Sequence, residues 1–175
     1  LKIKGVGNRS KVILEGKRAT GPGGTNNAIE GYQVDNLQLS NMTARNYTGN
    51  GFWIHTCDGF LMNNLVAASN RSYGLFVRNC KGGTMSNSVG YNHGDSAFYV
   101  GETPEQVSPE TTTLTNLTAY QNVLGYSGTN SKYVDIKNSD FSNNGIGLVP
   151  NTLDSEDYEP TELGQIRNNR IFWNN

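Results

Sequence analysis

Asparagine recurs at a nearly fixed interval along this chain, and this repeat limits most strongly what the chain can fold into. Asn41, Asn64 and Asn87 are 23 residues apart, and each follows a leucine or methionine by two positions. The full series is Asn41, Asn64, Asn87, Asn116, Asn138 and Asn168. A unit of this size holds two or three short strands and cannot bury an apolar face alone, so successive units must stack.

Composition agrees with a stacked, helix-free fold. The 175 residues include 24 Asn and 21 Gly, which disfavour helix interiors. Apolar residues make up 35% and the net charge is -1, whereas disordered chains usually combine low hydrophobicity with high net charge. Amides stacked at one turn of each coil can hydrogen-bond above and below, as in an Asn ladder. The sequence predicts an all-β, single-domain, right-handed parallel β-helix over residues 1–175, a single-stranded solenoid of about six to seven coils.

The two ends of the chain carry no polar cap. The sequence begins at Leu1 without a methionine and ends in Trp173-Asn-Asn. Because solenoids need capping units, we expect either a part of a longer solenoid or end-to-end self-association into filaments.

The coil pattern resembles the right-handed parallel β-helix repeat proteins of bacteria and archaea, which include pectate lyases and mannuronan epimerases, most clearly over residues 34–175. Segments 96–102, 124–130 and 147–155 are similar to secreted bacterial β-helix proteins without an assigned activity. The resemblance implies a secreted or cell-surface protein. Those relatives often carry two cysteines in the loop after the first segment, and this chain has none there, so we expect another interaction to hold that loop. A shared fold does not carry an activity.

Three strands opened by glycine or alanine predict an outward aromatic column. Alternation directs Phe52/Ile54, Leu75/Val77 and Phe98/Val100 inward. The column is then Trp53, Phe76 and Tyr99, beside His55 and Arg78. Exposed aromatic faces next to polar donors suit sugar rings, which predicts polysaccharide binding. The alternative is that a long loop, or chain outside this sequence, covers the column.

Candidate catalytic groups flank this column. Asp95 precedes the third strand, where it is the predicted general acid or base with His55 as its partner. Arg78 would neutralise a uronate carboxylate, and Glu102, which follows the strand, would contact substrate. Such an enzyme would be a polysaccharide lyase, epimerase or glycoside hydrolase. His93 has a simpler interpretation, because it shares its repeat position with Asn70, Asn122 and Asn144 and can replace a turn amide.

Two insertions, residues 102–112 and 150–163, follow equivalent strands and should emerge at one edge. They hold eight of the fifteen acids: Glu102, Glu105, Glu110, Asp154, Glu156, Asp157, Glu159 and Glu162. These loops are either solvated surface or a site for calcium or a basic partner. The regular coils offer no carboxylate cluster or zinc spacing, so no metal site is predicted there. Six of the fourteen bases lie in residues 1–18: Lys2, Lys4, Arg9, Lys11, Lys17 and Arg18.

Covalent modification has two sets of candidates. Cys57 and Cys80 are 23 residues apart, so adjacent coils should bring them within disulfide range, and a disulfide and two buried thiols remain equally open. Of five glycosylation sequons, Asn8, Asn46 and Asn70 are the best placed.

Apolar runs of about four residues exclude a membrane span, which needs roughly 20. The near-zero charge gives no basic stripe for nucleic acid.

Overall fold

The structure, a computed structural model, describes residues 1–17 and 26–175, and in these ranges it contains strands and no helices. The strands are β1 (Lys2–Lys4), β2 (Ile13–Glu15), β3 (Ile29–Tyr32), β4 (Leu37–Arg45), β5 (Phe52–Asp58), β6 (Phe60–Ala68), β7 (Leu75–Lys81), β8 (Gly83–Ser86), β9 (Val89–Tyr91), β10 (Ser96–Gly101), β11 (Thr112–Thr115), β12 (Thr118–Tyr120), β13 (Leu124–Thr129), β14 (Val134–Lys137), β15 (Asp140–Ser142), β16 (Ile146–Asn151), β17 (Gln165–Arg167) and β18 (Arg170–Phe172). No helix in the described ranges is therefore available to cross a bilayer.

The strands form two sheets in which each named strand pairing is parallel. A 12-stranded sheet runs β17-β14-β11-β8-β6-β9-β12-β15-β18, with β4 joining β6 to β1 and β2. A 6-stranded sheet runs β16-β13-β10-β7-β5-β3. Leu39 pairs with Met62 and Met62 with Met85, so the register follows the Asn repeat. These pairings between successive units define a parallel β-helix, as the sequence predicted.

Asparagine bends the chain once in each unit. The repeated residues Asn41, Asn64, Asn87, Asn116, Asn138 and Asn168 all have φ between 51° and 59°. Asparagine tolerates this left-handed conformation better than other non-glycine residues. In β4 and β6 the bend lies within one nine-residue strand, and beyond the Asn64 bend β6 pairs with β9 instead of β8. The bend thus separates two faces of the coil.

The core consists of the inward side chains predicted from the alternation. Phe52, Ile54, Leu75, Val77, Phe98 and Val100 are each at most 1% exposed. A second inward column pairs Ala44, Ala67, Gly90, Ala119 and Phe141 across successive strands. Large and small residues therefore alternate around the interior, which leaves the outward positions free for other roles.

Polar groups also line the inside of the turns. We call Asn70, His93, Asn122, Asn144 and Asn174 the amide column. The backbone N–H of Asn70 donates to His93 Nδ1 at 3.2 Å, and that of His93 donates to Asn122 Oδ1 at 3.0 Å. His93 thus performs the acceptor role of an amide, as its repeat position predicted. Burial lowers its pKa to about 4.

Candidate functional site

Six rings form a continuous series of aromatic contacts on the outward side of the 6-stranded sheet, and we call them the aromatic ribbon. The first five are stacked, and the sixth, Tyr99, meets its neighbours edge to face. In order they are Tyr32, His55, Trp53, Phe76, Tyr73 and Tyr99. Successive ring centroids are 4.7, 4.2, 5.5, 4.4 and 5.3 Å apart. Phe76 also meets Tyr99 edge to face at 4.8 Å. Such separations are typical of favourable aromatic pairs.

Strand register places the central rings. Trp53 on β5 pairs with Phe76 on β7, and Phe76 pairs with Tyr99 on β10. Because Phe52 and Ile54 point into the core, Trp53 between them must face outward. The predicted column therefore exists. Sequence reasoning missed Tyr32 and Tyr73, although Tyr32 could have been found from its pairing position one unit before His55.

Exposure of the ribbon decreases from one end to the other. Tyr32 is 56% exposed, Trp53 and Phe76 are half-buried, and Tyr99 is only 5% exposed. The prediction of an exposed column is wrong for Tyr99, whose pKa burial raises to about 12. The ribbon is thus open at Tyr32 and covered at Tyr99, and polysaccharide binding along it stays a prediction.

His55 is part of the stack. Its ring lies between those of Tyr32 and Trp53, and Nε2 is 3.3 Å from Glu30 Oε1. This position gives His55 a flat face within the ribbon and a carboxylate partner at its edge. Its partner is not Asp95, which the sequence had suggested.

Asp95 lies at the far end of the strands. Phe98, Leu75 and Phe52 are register partners and therefore lie at the same height along their strands. Asp95 comes three residues before Phe98, and His55 comes three residues after Phe52. At about 3.3 Å per residue, the two side chains are roughly 20 Å apart along the strand direction. Asp95 instead lies near Tyr73. Burial and the charge of the Asp95 carboxylate raise the pKa of the Tyr73 phenol. The structure does not bring Asp95 and His55 into one site.

Arg78 and Glu102 form a bidentate ion pair beside the ribbon. Arg78 Nη2 donates to Glu102 Oε2 at 2.6 Å, and Arg78 Nε donates to Oε1. Glu102 is 4% exposed, whereas almost half of the Arg78 side chain remains accessible. The hydrogen bonds that Arg78 donates to Glu102 raise the pKa of Arg78. The guanidinium predicted to bind a uronate is therefore already matched by one carboxylate.

The long insertions meet at the covered end of the ribbon, and Glu156 is the group that sequence reasoning missed there. Burial and the nearby charge of Glu102 raise the pKa of Glu156, while Arg78 opposes them. The charge of Glu156 also helps to raise the pKa values of Tyr73 and Tyr99. No repeat position marks Glu156, because it lies in the irregular segment between β16 and β17.

Two buried polar residues hold these insertions in place. Asn130 is fully buried and donates through Nδ2 to the carbonyls of Leu153, Glu156 and Asp157. Lys132 is also fully buried. Its Nζ donates to the Tyr158 and Pro160 carbonyls at 2.5 and 3.0 Å and lies 3.2 Å from Glu105 Oε1. Lys132 thus joins Glu105 of the first insertion to Tyr158 and Pro160 of the second.

The remaining predicted site residues are distributed over other parts of the coil. Cys57 and Cys80 are register partners and are both buried free thiols here, so the disulfide stays a prediction. The glycosylation prediction is wrong for Asn70, which is 1% exposed and accepts the Tyr47 N–H. Asn8 is exposed and Asn46 is half-buried. Asp58 and Lys81, which are register partners on adjacent coils, form a surface ion pair at 3.3 Å.

Across residues 1–17 and 26–175, no group of three or more His, Cys, Asp or Glu side chains is gathered in a way that could hold a metal ion. The acidic insertions contribute two carboxylates to Lys132, those of Glu105 and Glu162, and one to Arg78. A calcium ion at these loops stays a prediction. The regular coils likewise present their carboxylates singly, as in the Asp58 pair.

Fold and ribbon together define a parallel β-helix repeat protein. Neither a protein-family model nor a curated protein matches the sequence. Among solved structures, the chain is similar to the A-module of a mannuronan C-5 epimerase from Azotobacter vinelandii, at 17% identity and a TM-score of 0.38. The match covers 69% of this chain and 41% of that one. This likeness is too distant to say anything about activity.

Proposed function

We propose that this protein binds carbohydrate, and that a polysaccharide lies along the aromatic ribbon outside the cell or on its surface. The unbroken series of six contacting rings carries the proposal. Aromatic faces match the apolar faces of sugar rings, and contiguous exposed apolar patches on soluble proteins usually serve binding. Glu30 and Arg78 at the ribbon edge supply hydrogen bonds for sugar hydroxyls.

The open part of the ribbon is the contact surface in this proposal. Tyr32, His55, Trp53 and Phe76 would meet the sugar rings, and Tyr99 would support Phe76 from beneath the acidic insertions. The ligand should end near the Arg78–Glu102 pair, because the insertions that carry Glu156 cover the ribbon beyond it. Binding of short chains should therefore be as tight as binding of long ones.

Calorimetry on glycans selected from an array tests the ribbon. Trp53→Ala and Phe76→Ala should each weaken binding at least about tenfold, or 1.4 kcal/mol, because each removes a stacking face. Tyr91→Ala is the matched control, since Tyr91 stacks on Tyr120 at 5.0 Å on the other sheet. Unchanged affinity in both ribbon variants, or an equal loss in the control, would contradict the proposal.

One observation favours an enzymatic alternative, a polysaccharide lyase, epimerase or hydrolase. Glu102 is paired with Arg78, whereas the pKa of Glu156 is raised, so the two carboxyl groups have opposite environments. Such a difference is typical of a base and an acid that share a site. Reducing-end and unsaturated-product assays test this alternative. Glu156→Gln should abolish turnover and Asp95→Asn should not; glycan binding without turnover would leave binding as the function.

A further inference from the structure

A second groove lies on the outward side of the 12-stranded sheet, apart from the aromatic ribbon. It encloses about 610 Å³, and we call it the lysine groove. Its polar lining includes Lys2, Lys4, Gln38, Ser40, Asn63 and Asn64. Asn64 belongs to the Asn repeat, but neither the repeat nor the ribbon requires the other five, so their presence needs a separate explanation.

Strand pairing assembles the floor of the groove. Lys2 and Lys4 on β1 pair with Gln38 and Ser40 on β4. Ser40 in turn pairs with Asn63 on β6. Leu37 and Leu39 are buried, so the intervening Gln38 and Ser40 side chains face outward. A row of polar side chains therefore runs across three strands.

The turn after β1 forms one wall. Asn41 Nδ2 donates to the carbonyls of Gly5 and Gly7, both at 2.7 Å, which fixes this turn against β4. Arg9 then reaches back over the coil and donates to Asn64 Oδ1 and to the Asn87 carbonyl, both at 2.9 Å. The wall is thus held by several side-chain hydrogen bonds, and the Arg9 guanidinium lies against Asn64 of the groove lining.

Charge in the groove is not neutralised, in contrast to most of the protein. Seven other cations lie within 4.0 Å of a carboxylate: Arg45, Arg78, Lys81, Lys132, Lys137, Arg167 and Arg170. In the described part of the chain, Lys2 and Lys4 have no such partner, and the Arg9 hydrogen bonds go to neutral acceptors. No acidic side chain lines the groove. A concave surface with charge of one sign concentrates ions of the opposite sign.

We propose that the lysine groove binds the anionic groups of an acidic carbohydrate, whose charge comes from a carboxylate or a sulfate ester. The ammonium groups would meet the anion, and the Gln, Ser and Asn side chains can both donate to and accept from hydroxyl groups. A nucleic acid fits less well, because no aromatic side chain lines the groove to stack on bases. This site is independent of the aromatic ribbon.

Titration calorimetry with four probes tests the proposal: an oligouronide, a sulfated oligosaccharide, a neutral oligoglucan and a single-stranded oligonucleotide. At least one acidic sugar should bind, and its affinity should fall as salt rises from about 0.05 to 0.15 M. The double variant Lys2→Gln/Lys4→Gln should lower that affinity at least about tenfold, or 1.4 kcal/mol. The double variant Lys11→Gln/Lys17→Gln is the matched control, because it removes the same charge outside the groove and should retain binding.

The outcomes show which anionic group of the sugar is bound and whether it binds at the lysine groove or at the aromatic ribbon. Binding of only the oligouronide assigns a carboxylate, and binding of only the sulfated sugar assigns a sulfate ester. The proposal is overturned if neither acidic sugar binds, if the oligonucleotide binds as tightly, or if both double variants lose affinity equally. It is also overturned if Trp53→Ala abolishes acidic-sugar binding while Lys2→Gln/Lys4→Gln does not, because the ligand would then belong to the ribbon.

Discussion

The amide column and the aromatic ribbon repeat at nearly the same interval, yet one lies inside the coil and the other outside. Inside the coil, the side chains of the amide column accept hydrogen bonds from backbone N–H groups, as Asn122 does from His93. Outside, the rings mainly contact one another and leave faces open, as at Tyr32. A repeated residue is therefore structural or functional according to its side of the backbone. Changes in the first should affect stability, and changes in the second should affect binding.

The largest effect is expected from Asn122→Leu. Asn122 Nδ2 donates to the carbonyls of Gly90 and Tyr120, and Oδ1 accepts the His93 N–H, all inside the coil. Leucine would leave the buried His93 N–H unpaired, at about 1–3 kcal/mol, and would remove two hydrogen bonds to carbonyls, at about 0.5–1.5 kcal/mol each. Denaturant unfolding should show a loss of at least about 3 kcal/mol. A loss below about 1 kcal/mol would show that the amide column is not what holds the turns.

The next effect is a pH dependence that originates at His93. Its pKa is about 4 in the fold and 6.5 ordinarily, so between these values the unfolded chain binds more protons. Stability should therefore rise with pH across this window and be lost as the pH falls through it, by up to about 3 kcal/mol. Urea unfolding at several pH values measures this slope.

His93→Asn isolates the contribution of the imidazole, because several carboxylates titrate at lower pH. Asparagine restores the residue type of the neighbouring units, so this variant should fold and bind as the original does. The difference in stability between the two proteins should shrink as the pH rises from about 4 to about 6.5 and stay constant above that. Parallel slopes in the two proteins between pH 4 and 6.5 would show that the His93 imidazole does not charge on unfolding.

The smallest loss of stability is expected at the exposed asparagines of the bends, in contrast to the buried amide column. Asn116 has φ 53° and an exposed side chain, so its backbone conformation matters more than its amide. Asn116→Gly should change stability by a few tenths of a kcal/mol, and Asn116→Ala should cost about 1 kcal/mol. Thermal unfolding of the pair measures the difference. Equal losses in both variants would mean that the side chain, not the left-handed backbone, is essential.

Much of this architecture could be predicted from the repeat. The spacing of Asn41, Asn64 and Asn87 gave the strand register, and the alternation around Trp53 gave the inward and outward sides. His93 could be recognised as a substitute for an amide from its position alone. These predictions succeeded because stacked units repeat the same local environment.

The insertions could not be predicted in the same way. Lys132 and Glu156 act through loops of irregular length, where no neighbouring unit supplies a template. The same irregularity hid the covering of Tyr99. The sequence suggested Asp95 and His55 as partners because both lie close in sequence to residues of the column. The strand register places them at opposite ends of the strands. Position along a strand therefore matters as much as the choice of coil.

The fluorescence of Trp53 tests the central claim most directly. The chain has 2 tryptophans, and Trp173→Phe leaves Trp53 in the ribbon as the sole indole. Titration with a glycan that binds by calorimetry should shift its emission and protect it from a soluble quencher, with the same affinity as the calorimetric isotherm. Carbohydrate binding that leaves both the emission and the quenching of Trp53 unchanged would contradict binding along the aromatic ribbon.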